Sequence, residues 1–198
     1  SLVCGGKIVS EIAASPIAES RRETVDLPEL PTGTITNKET GGYQTDYVYD
    51  RTSVPEPAAD HFTTTNVGAA MTFEWYKNSV AAANRLGSAP MDAGTYILRV
   101  KAAMTDSYEA AMLDLNVTIA QKEITVTVTA QNKIYDGTAD ASVKASVAGV
   151  VSGDDVSITG LTGNFADKNV GNGKKVNLAG GKLTGAAAAN YIVEMPSE

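Results

Sequence analysis

The chain has 198 residues, with 16 Lys or Arg against 23 Asp or Glu and a formal net charge of −7. This balance argues against nucleic acid as a partner, because there is no basic excess to displace counterions from phosphates. The single histidine, His61, leaves almost no room for multi-histidine metal or acid–base chemistry, and the single cysteine, Cys4, excludes an internal disulfide. We therefore expect no catalytic, cofactor-binding or metal-binding residues and no cofactor.

Residues 1–32 are ambiguous. Helical character over 8–18 is interrupted by Pro16, which breaks or kinks a helix interior. Pro28 and Pro31 then favour extended chain. We interpret 1–32 as an irregular lead-in or the remnant of a preceding module.

Two features of the whole chain bear on membrane insertion and on processing. No run of 18 apolar residues occurs, so we expect no membrane insertion in this segment. The chain begins with Ser1 and no signal-type segment follows, which we interpret as a mature or trimmed fragment.

Residues 33–120, called here the first module, contain three strong strand patterns, at 70–77, 97–102 and 112–119. Alternation in the first of these places Phe73 and Trp75 on one face and Glu74 and Tyr76 on the other. We expect Trp75 to pack in the core and Tyr76 to be the surface aromatic. The pattern predicts a β-sandwich.

Residues 121–198, the second module, consist almost wholly of short strand patterns separated by Gly and Asn. The candidates are 124–130, 142–151, 156–158, 163–166, 175–178 and 191–194, with a helical turn at 185–190. Six or seven short strands in this length again favour a β-sandwich.

Composition changes where these two modules meet. Residues 1–120 carry a net charge of −6 and residues 121–198 only −1, while the second module holds 10 of the 18 glycines. Such a shift predicts a domain boundary near Ala120–Lys122. The strand at 112–119 runs almost directly into the one at 124, so we expect the modules to sit end to end with little flexing.

An internal repeat relates the two modules. Tyr49-Asp-Arg-Thr52 matches Tyr135-Asp-Gly-Thr138, and Asp92-Ala-Gly94 matches Asn169-Val-Gly171. Ser107-Tyr108 likewise parallels Asn190-Tyr191. The order is the same in both copies, which indicates divergent tandem copies of one module.

These motifs carry a family resemblance. Lys133-Ile-Tyr-Asp-Gly-Thr138, Gly153-Asp-Asp-Val156, Gly163-Asn-Phe165, Lys168-Asn-Val-Gly171 and Leu183–Tyr191 together resemble the YDG-type repeat of bacterial surface proteins. The first module resembles a related bacterial Ig-like repeat through Phe73-Glu-Trp-Tyr76, Asp92–Tyr96 and Asp106-Ser-Tyr108, with Arg51 in place of the YDG glycine. The resemblance implies large, secreted, adhesin-like proteins and brings no catalytic residues.

Asp92-Ala-Gly-Thr-Tyr96 is also similar to the tyrosine corner of immunoglobulin domains. That similarity implies a bond from the Tyr96 hydroxyl to nearby backbone. Leu98 stands where the second cysteine would be, and Trp75 lies too close to Tyr96 for antibody topology.

Three sharper hypotheses compete with structural roles. The acidic turns 136–140, 153–155 and 167–169 could gather oxygen ligands for Ca²⁺, but turn formation by Asp and Asn explains each of them. His61 could serve a catalytic triad, but it lies in a polar loop with no nucleophile elbow. Lys133 and Asn190 could form an isopeptide crosslink, although a structural role for both is the simpler interpretation.

The sequence thus predicts an all-β chain of two tandem Ig-like sandwiches. We interpret it as a non-catalytic structural or adhesive repeat segment, a stalk or spacer, of a large bacterial cell-surface or secreted protein. The alternative is a glycan- or protein-binding sandwich acting through its loops. Expected partners are neighbouring repeat modules of the same chain, with a host or environmental glycan or protein as a further candidate, and we expect an extracellular monomer.

Overall fold

The computed structural model describes residues 28–195, and within them every regular element is a strand or a three-residue 3-10 turn. The expected all-β fold is confirmed. Most of the predicted lead-in at 1–32 lies outside the described residues. No helix in the described part is long and apolar enough to cross a membrane.

The strands divide evenly between the modules. Those of the first module are β1 (Thr34–Asn37), β2 (Asp46–Val48), β3 (Phe62–Thr65), β4 (Met71–Lys77), β5 (Arg85–Leu86), β6 (Gly94–Ala102) and β7 (Ala111–Ala120). Those of the second are β8 (Lys122–Glu123), β9 (Thr125–Ala130), β10 (Asp140–Ala141), β11 (Val143–Ala148), β12 (Ser157–Phe165), β13 (Val176–Thr184) and β14 (Tyr191–Ile192). The 3-10 turns are Ala59–His61, Ala82–Asn84 and Ala188–Asn190.

A five-stranded sheet in the order β2-β7-β6-β4-β5 forms the centre of the first module, and β1 and β3 form a separate ribbon. β6 pairs antiparallel with β7 along its whole length and with β4 from Tyr96 to Ala102, which places Leu98 opposite Trp75 and Leu115. β2 runs parallel to the end of β7, with Asp46 opposite Thr118. The last residues of β7 therefore lie beside Tyr49, which follows β2.

The core of the first module lies on one face of this sheet. Trp75 is buried there as predicted, together with Tyr96, Leu98 and Val117. The Tyr96 hydroxyl donates to the carbonyl of Asp92 at 2.8 Å, so the predicted tyrosine corner is also confirmed.

The expectation that Tyr76 is the surface aromatic is wrong. Tyr76 is buried on the opposite face of β4, because charged side chains cover its ring. The Arg99 guanidinium lies 5.9 Å from the ring centroid and is held by Asp114, while the Tyr76 hydroxyl donates to Glu74 at 2.9 Å. Alternation correctly places Tyr76 and Trp75 on opposite faces of β4. It does not reveal that charged side chains cover the face that carries Tyr76.

The second module has three small sheets, with orders β10-β12-β13, β11-β9 and β14-β8. The short strands predicted at 156–158 and 163–166 are one nine-residue strand, β12, and the strand predicted at 175–178 extends to Thr184 as β13. Gly160 and Gly181 are skipped in the β12–β13 register and both have positive φ, 70° and 88°. Glycine thus makes a local irregularity that the sequence pattern presents as a strand end.

Burial in the second module is concentrated where it meets the first. Among its described residues the buried side chains are those of Ile124, Asn190 and Tyr191. Ile124 and Tyr191 belong to one apolar cluster with Tyr49, Val54 and other core residues of the first module. The two modules therefore share buried side chains at their boundary.

Candidate functional site at the junction of the modules

The connection between the modules is a single residue, Gln121, between β7 and β8. Its side-chain amide donates to the carbonyls of Ala189 and Tyr191, at 2.9 and 3.1 Å. Beyond it, β8 pairs in parallel with β14, and the amide of Ile124 donates to the Ile192 carbonyl at 3.0 Å. The connecting backbone is thus held against the end of the second module instead of crossing open solvent.

The carboxylate of Asp154 forms the centre of the junction. Its Oδ2 accepts hydrogen bonds from the hydroxyls of Tyr191, at 2.5 Å, and Tyr49, at 2.9 Å. Its Oδ1 lies 3.2 Å from Nε of Arg51, and the Asp154 side chain is only 4% exposed. Since Tyr49 and Arg51 come from the first module, one buried acid connects both modules.

The two tyrosines also contact each other. Their rings meet edge to face with centroids 5.4 Å apart, an arrangement that aromatic pairs favour. The Tyr191 oxygen accepts the amide hydrogen of Val151 at 3.0 Å while its own hydrogen goes to Asp154. Every polar atom of this pair is therefore satisfied inside a closely packed contact.

The charges at this site are arranged to keep Asp154 ionised and the tyrosines neutral. The hydrogen bonds from Tyr191 and Tyr49 and the charge of Arg51 hold the pKa of Asp154 below its usual range. Burial, and then the hydrogen bond to the Asp154 carboxylate, raise the pKa of Tyr49 to about 12 and raise that of Tyr191.

Arg51 occupies a backbone conformation that usually calls for glycine. Its φ is 68°, close to the 81° of Gly137 at the equivalent place in the second module. In both copies the preceding Asp accepts from the backbone amide two residues on, Asp50 from Thr52 at 2.8 Å and Asp136 from Thr138 at 2.9 Å. The repeated motif is therefore the same Asx turn in both modules.

Arg51 uses this turn to reach the second module. Its Nη1 donates to the Ser152 carbonyl at 2.8 Å, next to Gly153. A Cβ on Gly153 would lie 1.9 Å from that nitrogen, and Gly153 has a φ of 90°. Glycine at position 153 therefore leaves room for the guanidinium.

A second polar contact involves Asn190, which is 7% exposed as a whole residue. Its Nδ2 donates to Oδ1 of Asp92 at 3.0 Å, and its Oδ1 accepts the backbone amide of Ala93 at 2.8 Å. The amide group thus contacts the start of the tyrosine-corner loop of the first module. Asp154 and Asn190 together fix two separate points of the same interface.

The acidic turns proposed as calcium ligands bind protein groups. Asp136 accepts from Thr138 and pairs with Lys133, which lowers the pKa of Asp136 to about 2. Asp167 accepts from the Asn169 amide at 2.7 Å and pairs with Lys174. Turn formation is confirmed for these two, and in the described residues no group of three potential metal ligands comes together.

The structure does not bring Lys133 and Asn190 together. Lys133 Nζ donates to Thr138 Oγ1 at 2.6 Å and to the Asp140 carbonyl at 2.9 Å, at the YDG turn. Asn190 is bound at the junction. Each side chain therefore has a structural role at a different place in the module.

His61 ends a 3-10 turn instead of projecting from a solvated loop. Its Nδ1 accepts the amide hydrogen of Ala58 at 3.0 Å, and its ring packs edge-on against Tyr43 with centroids 5.5 Å apart. The side chain therefore closes a turn and covers a core tyrosine.

Sequence reasoning did not identify the junction residues as a site. In the sequence, Asp154 is explained by turn formation, and Arg51 shows only as a departure from the YDG motif. The signal in the sequence is arginine at the glycine position of the YDG motif. A residue other than glycine in a left-handed conformation costs roughly 1–2 kcal/mol, which requires a compensating interaction.

Removing one phenolic oxygen tests the junction directly. In Tyr191→Phe, Asp154 loses a donor and the Val151 amide loses its acceptor, so we expect the free energy of unfolding of the second module to fall by about 1–3 kcal/mol. Amide hydrogen exchange at Val151 and Ile124 measures this opening. Tyr135→Phe, at the exposed tyrosine of the YDG turn, removes a phenolic oxygen away from the junction and is the control. It should change stability by less than about 0.5 kcal/mol; equal effects would contradict the assignment.

The junction should also depend on pH. A raised pKa of Tyr49 means that its contribution is complete below its ordinary pKa of 10.0 and is lost as the pH rises through about 12. The lowered pKa of Asp154 means that its contribution to stability is lost as the pH falls below the usual range of a carboxyl group.

A tyrosinate absorbance titration tests the shift of Tyr49. When the titration curve of the native Tyr49→Phe variant is subtracted from that of the native parent chain, we expect the difference to show one phenol titrating near 12. The same difference in denaturant should show a phenol near 10, and a native phenol that already titrates near 10 would refute a buried Tyr49–Asp154 bond.

Comparison with known proteins agrees with the second half of this structure. No curated protein and no solved structure gave a significant match to the chain. Residues 120–198 match the model of the YDG domain family, which confirms the YDG-type resemblance, whereas the Ig-like character of the first module remains a prediction. The chain therefore contains a YDG domain, and it begins at the junction described above.

Proposed function

We propose that this chain is a non-catalytic structural segment, a stalk or spacer, of a large bacterial cell-surface or secreted protein. The observation that carries the proposal is the junction, where buried Asp154 and Asn190 of the second module bind Tyr49, Arg51 and Asp92 of the first. A segment that projects a distant binding region needs successive modules to keep one relative orientation. Two separate polar contacts and a shared apolar cluster favour one orientation.

The path of the backbone supports the same role. Tension along the chain passes from β7 through Gln121 into β8, and both strands are paired in parallel, with β2 and β14 respectively. Hydrogen bonds across these pairs lie transverse to the chain direction, so several must break together before the junction extends. The side-chain amide of Gln121 adds two bonds at the connection itself.

The aromatic residues give little support to the alternative of a glycan-binding module. A sugar platform needs exposed aromatic faces, and both Trp75 and Tyr76 are buried. Tyr135 is exposed at the far end of the second module, but a single ring is a weak sugar platform.

A distance measurement tests whether the junction holds one orientation. Spin labels at Met112→Cys in β7 and Lys144→Cys in β11, both exposed and in a Cys4→Ser background, report on the two modules separately. We expect one narrow distance distribution for this chain and a broad one after Asp154→Ala and Asn190→Ala. Asp167→Ala removes an acid at the opposite end of the module and is the control that should leave the distribution narrow. A broad distribution in the unaltered junction would remove the basis for a spacer role.

Cellular location needs its own test. Antibodies raised against the whole chain should label intact, unpermeabilised cells of the source organism or detect the protein in the culture medium. Antibodies against a cytoplasmic protein serve as the control for cell lysis. Signal that appears only after lysis would contradict a surface or secreted location.

A further inference from the structure

The end of the second module opposite the junction carries an exposed groove lined by both polar and apolar residues. Ile134 is 92% exposed, Tyr135 60% and Val170 85%. Tyr135 and Val170 both line a groove of about 410 Å³ that the YDG turn and the loop 167–174 help to form. Large apolar side chains exposed together in this way commonly mark an interaction surface.

The repeat shows which residues of the first module are equivalent. Tyr135 corresponds to Tyr49, and Asn169-Val170 corresponds to Asp92-Ala93. These are the residues through which the first module binds the second, by the Tyr49–Asp154 and Asp92–Asn190 bonds and the amide of Ala93. The exposed groove is therefore the second module's copy of a surface that is occupied in the first.

The local geometry of the two surfaces is also the same. Asp50 and Asp136 each close an Asx turn after the tyrosine, and the following residue has positive φ in both copies. Tyr49, whose turn is covered by the next module, is 3% exposed, while Tyr135 is 60% exposed. The tyrosine that contacts a neighbouring module is thus buried, and its counterpart in the second module is exposed.

We propose that this groove is the docking surface for a further YDG-type module, which binds it through its own equivalents of Asp154, Asn190 and Tyr191. Tyr135 donates to the incoming carboxylate, and the incoming asparagine amide bridges the Asn169 side chain and the Val170 amide. The incoming tyrosine fills the groove between Tyr135 and Val170. This inference rests on the proposed spacer function and specifies the surface by which the array continues.

Charge is complementary across the proposed contact. Lys133, Lys168 and Lys174 line the groove, and two of them already pair with acids, Lys133 with Asp136 and Lys174 with Asp167. Lys168 adds a further positive charge, while the incoming loop carries the equivalents of Asp154 and Asp155. Gly137 stands where Arg51 would bind the incoming acid, so one ion pair of the existing junction is missing. We therefore expect weaker docking than at the existing junction, with covalent connection raising the effective concentration to the millimolar range.

The first test transfers the free surface into the existing junction. Arg51→Gly, Asp92→Asn and Ala93→Val together give the first module the residues that the second module exposes. We expect the spin-label distance distribution between positions 112 and 144 to stay narrow, as in the parent chain. Tyr49→Ala with Asn190→Ala is the undocked reference, and a triple variant that matches this reference would overturn the proposal.

The second test supplies the missing neighbour. A further copy of 120–198 is joined to the end of the whole chain through a flexible Gly/Ser linker, with Cys4→Ser in the background and one cysteine at position 190 of the added copy. The partner cysteine is placed in the parent chain, either at Val170 in the groove or at Lys144 on exposed β11. We expect the disulfide to the added copy to form about 10-fold faster from position 170, because docking raises the local concentration of the two thiols beyond the value set by the linker alone. Ala93→Cys with Asn190→Cys in the unextended chain calibrates the rate for a docked pair.

Equal rates at positions 170 and 144 would overturn the docking surface. That outcome leaves the spacer function to be judged by the rigidity of the existing junction and by cellular location. Tyr135→Ala should lower the rate at position 170 to that at position 144, since the tyrosine provides both the bond and one wall of the groove.

Discussion

One buried carboxylate determines how the two halves of this chain are arranged. Asp154 is 4% exposed, and its oxygens receive Tyr49 and Arg51 from one module and Tyr191 from its own. A buried carboxylate without such donors would be strongly disfavoured, so the burial of this acid at the junction depends on the donors that the first module supplies. Bonds to a carboxylate are directional and charge-assisted, which makes them better suited to fixing an angle between modules than apolar contact alone.

The second module depends on this contact more than the first does. The side chains that its described residues bury are those of Ile124, Asn190 and Tyr191, all at the boundary, whereas the first module has a continuous core around Leu98 and Val117. A module with few buried side chains gains much of its stability from its neighbour. Stability is then shared between adjacent units, as it is in repeat proteins, where interface terms add to the intrinsic stability of each repeat.

The strand pattern and the repeated turn could be predicted from the sequence, because alternation and turn residues are local signals. Trp75, Tyr96 and the YDG turn lie where local patterns place them. The length of β12 could not be predicted, because a glycine with positive φ inside a strand looks like a strand end in the sequence. The burial of Tyr76 under Arg99 and the role of Asp154 could not either, because both depend on residues distant along the chain.

The two versions of the YDG turn show how a repeat can be adapted at one joint. Glycine at position 137 adopts its φ of 81° without penalty, whereas arginine at 51 adopts 68° at a cost of roughly 1–2 kcal/mol. The interactions of the side chain offset this backbone strain, since Arg51 binds both Asp154 and the Ser152 carbonyl. Glycine is thus sufficient for the turn itself, and arginine adds an interaction specific to the neighbour that follows. A residue other than glycine at this place in a repeat therefore indicates a joint whose contact has been strengthened.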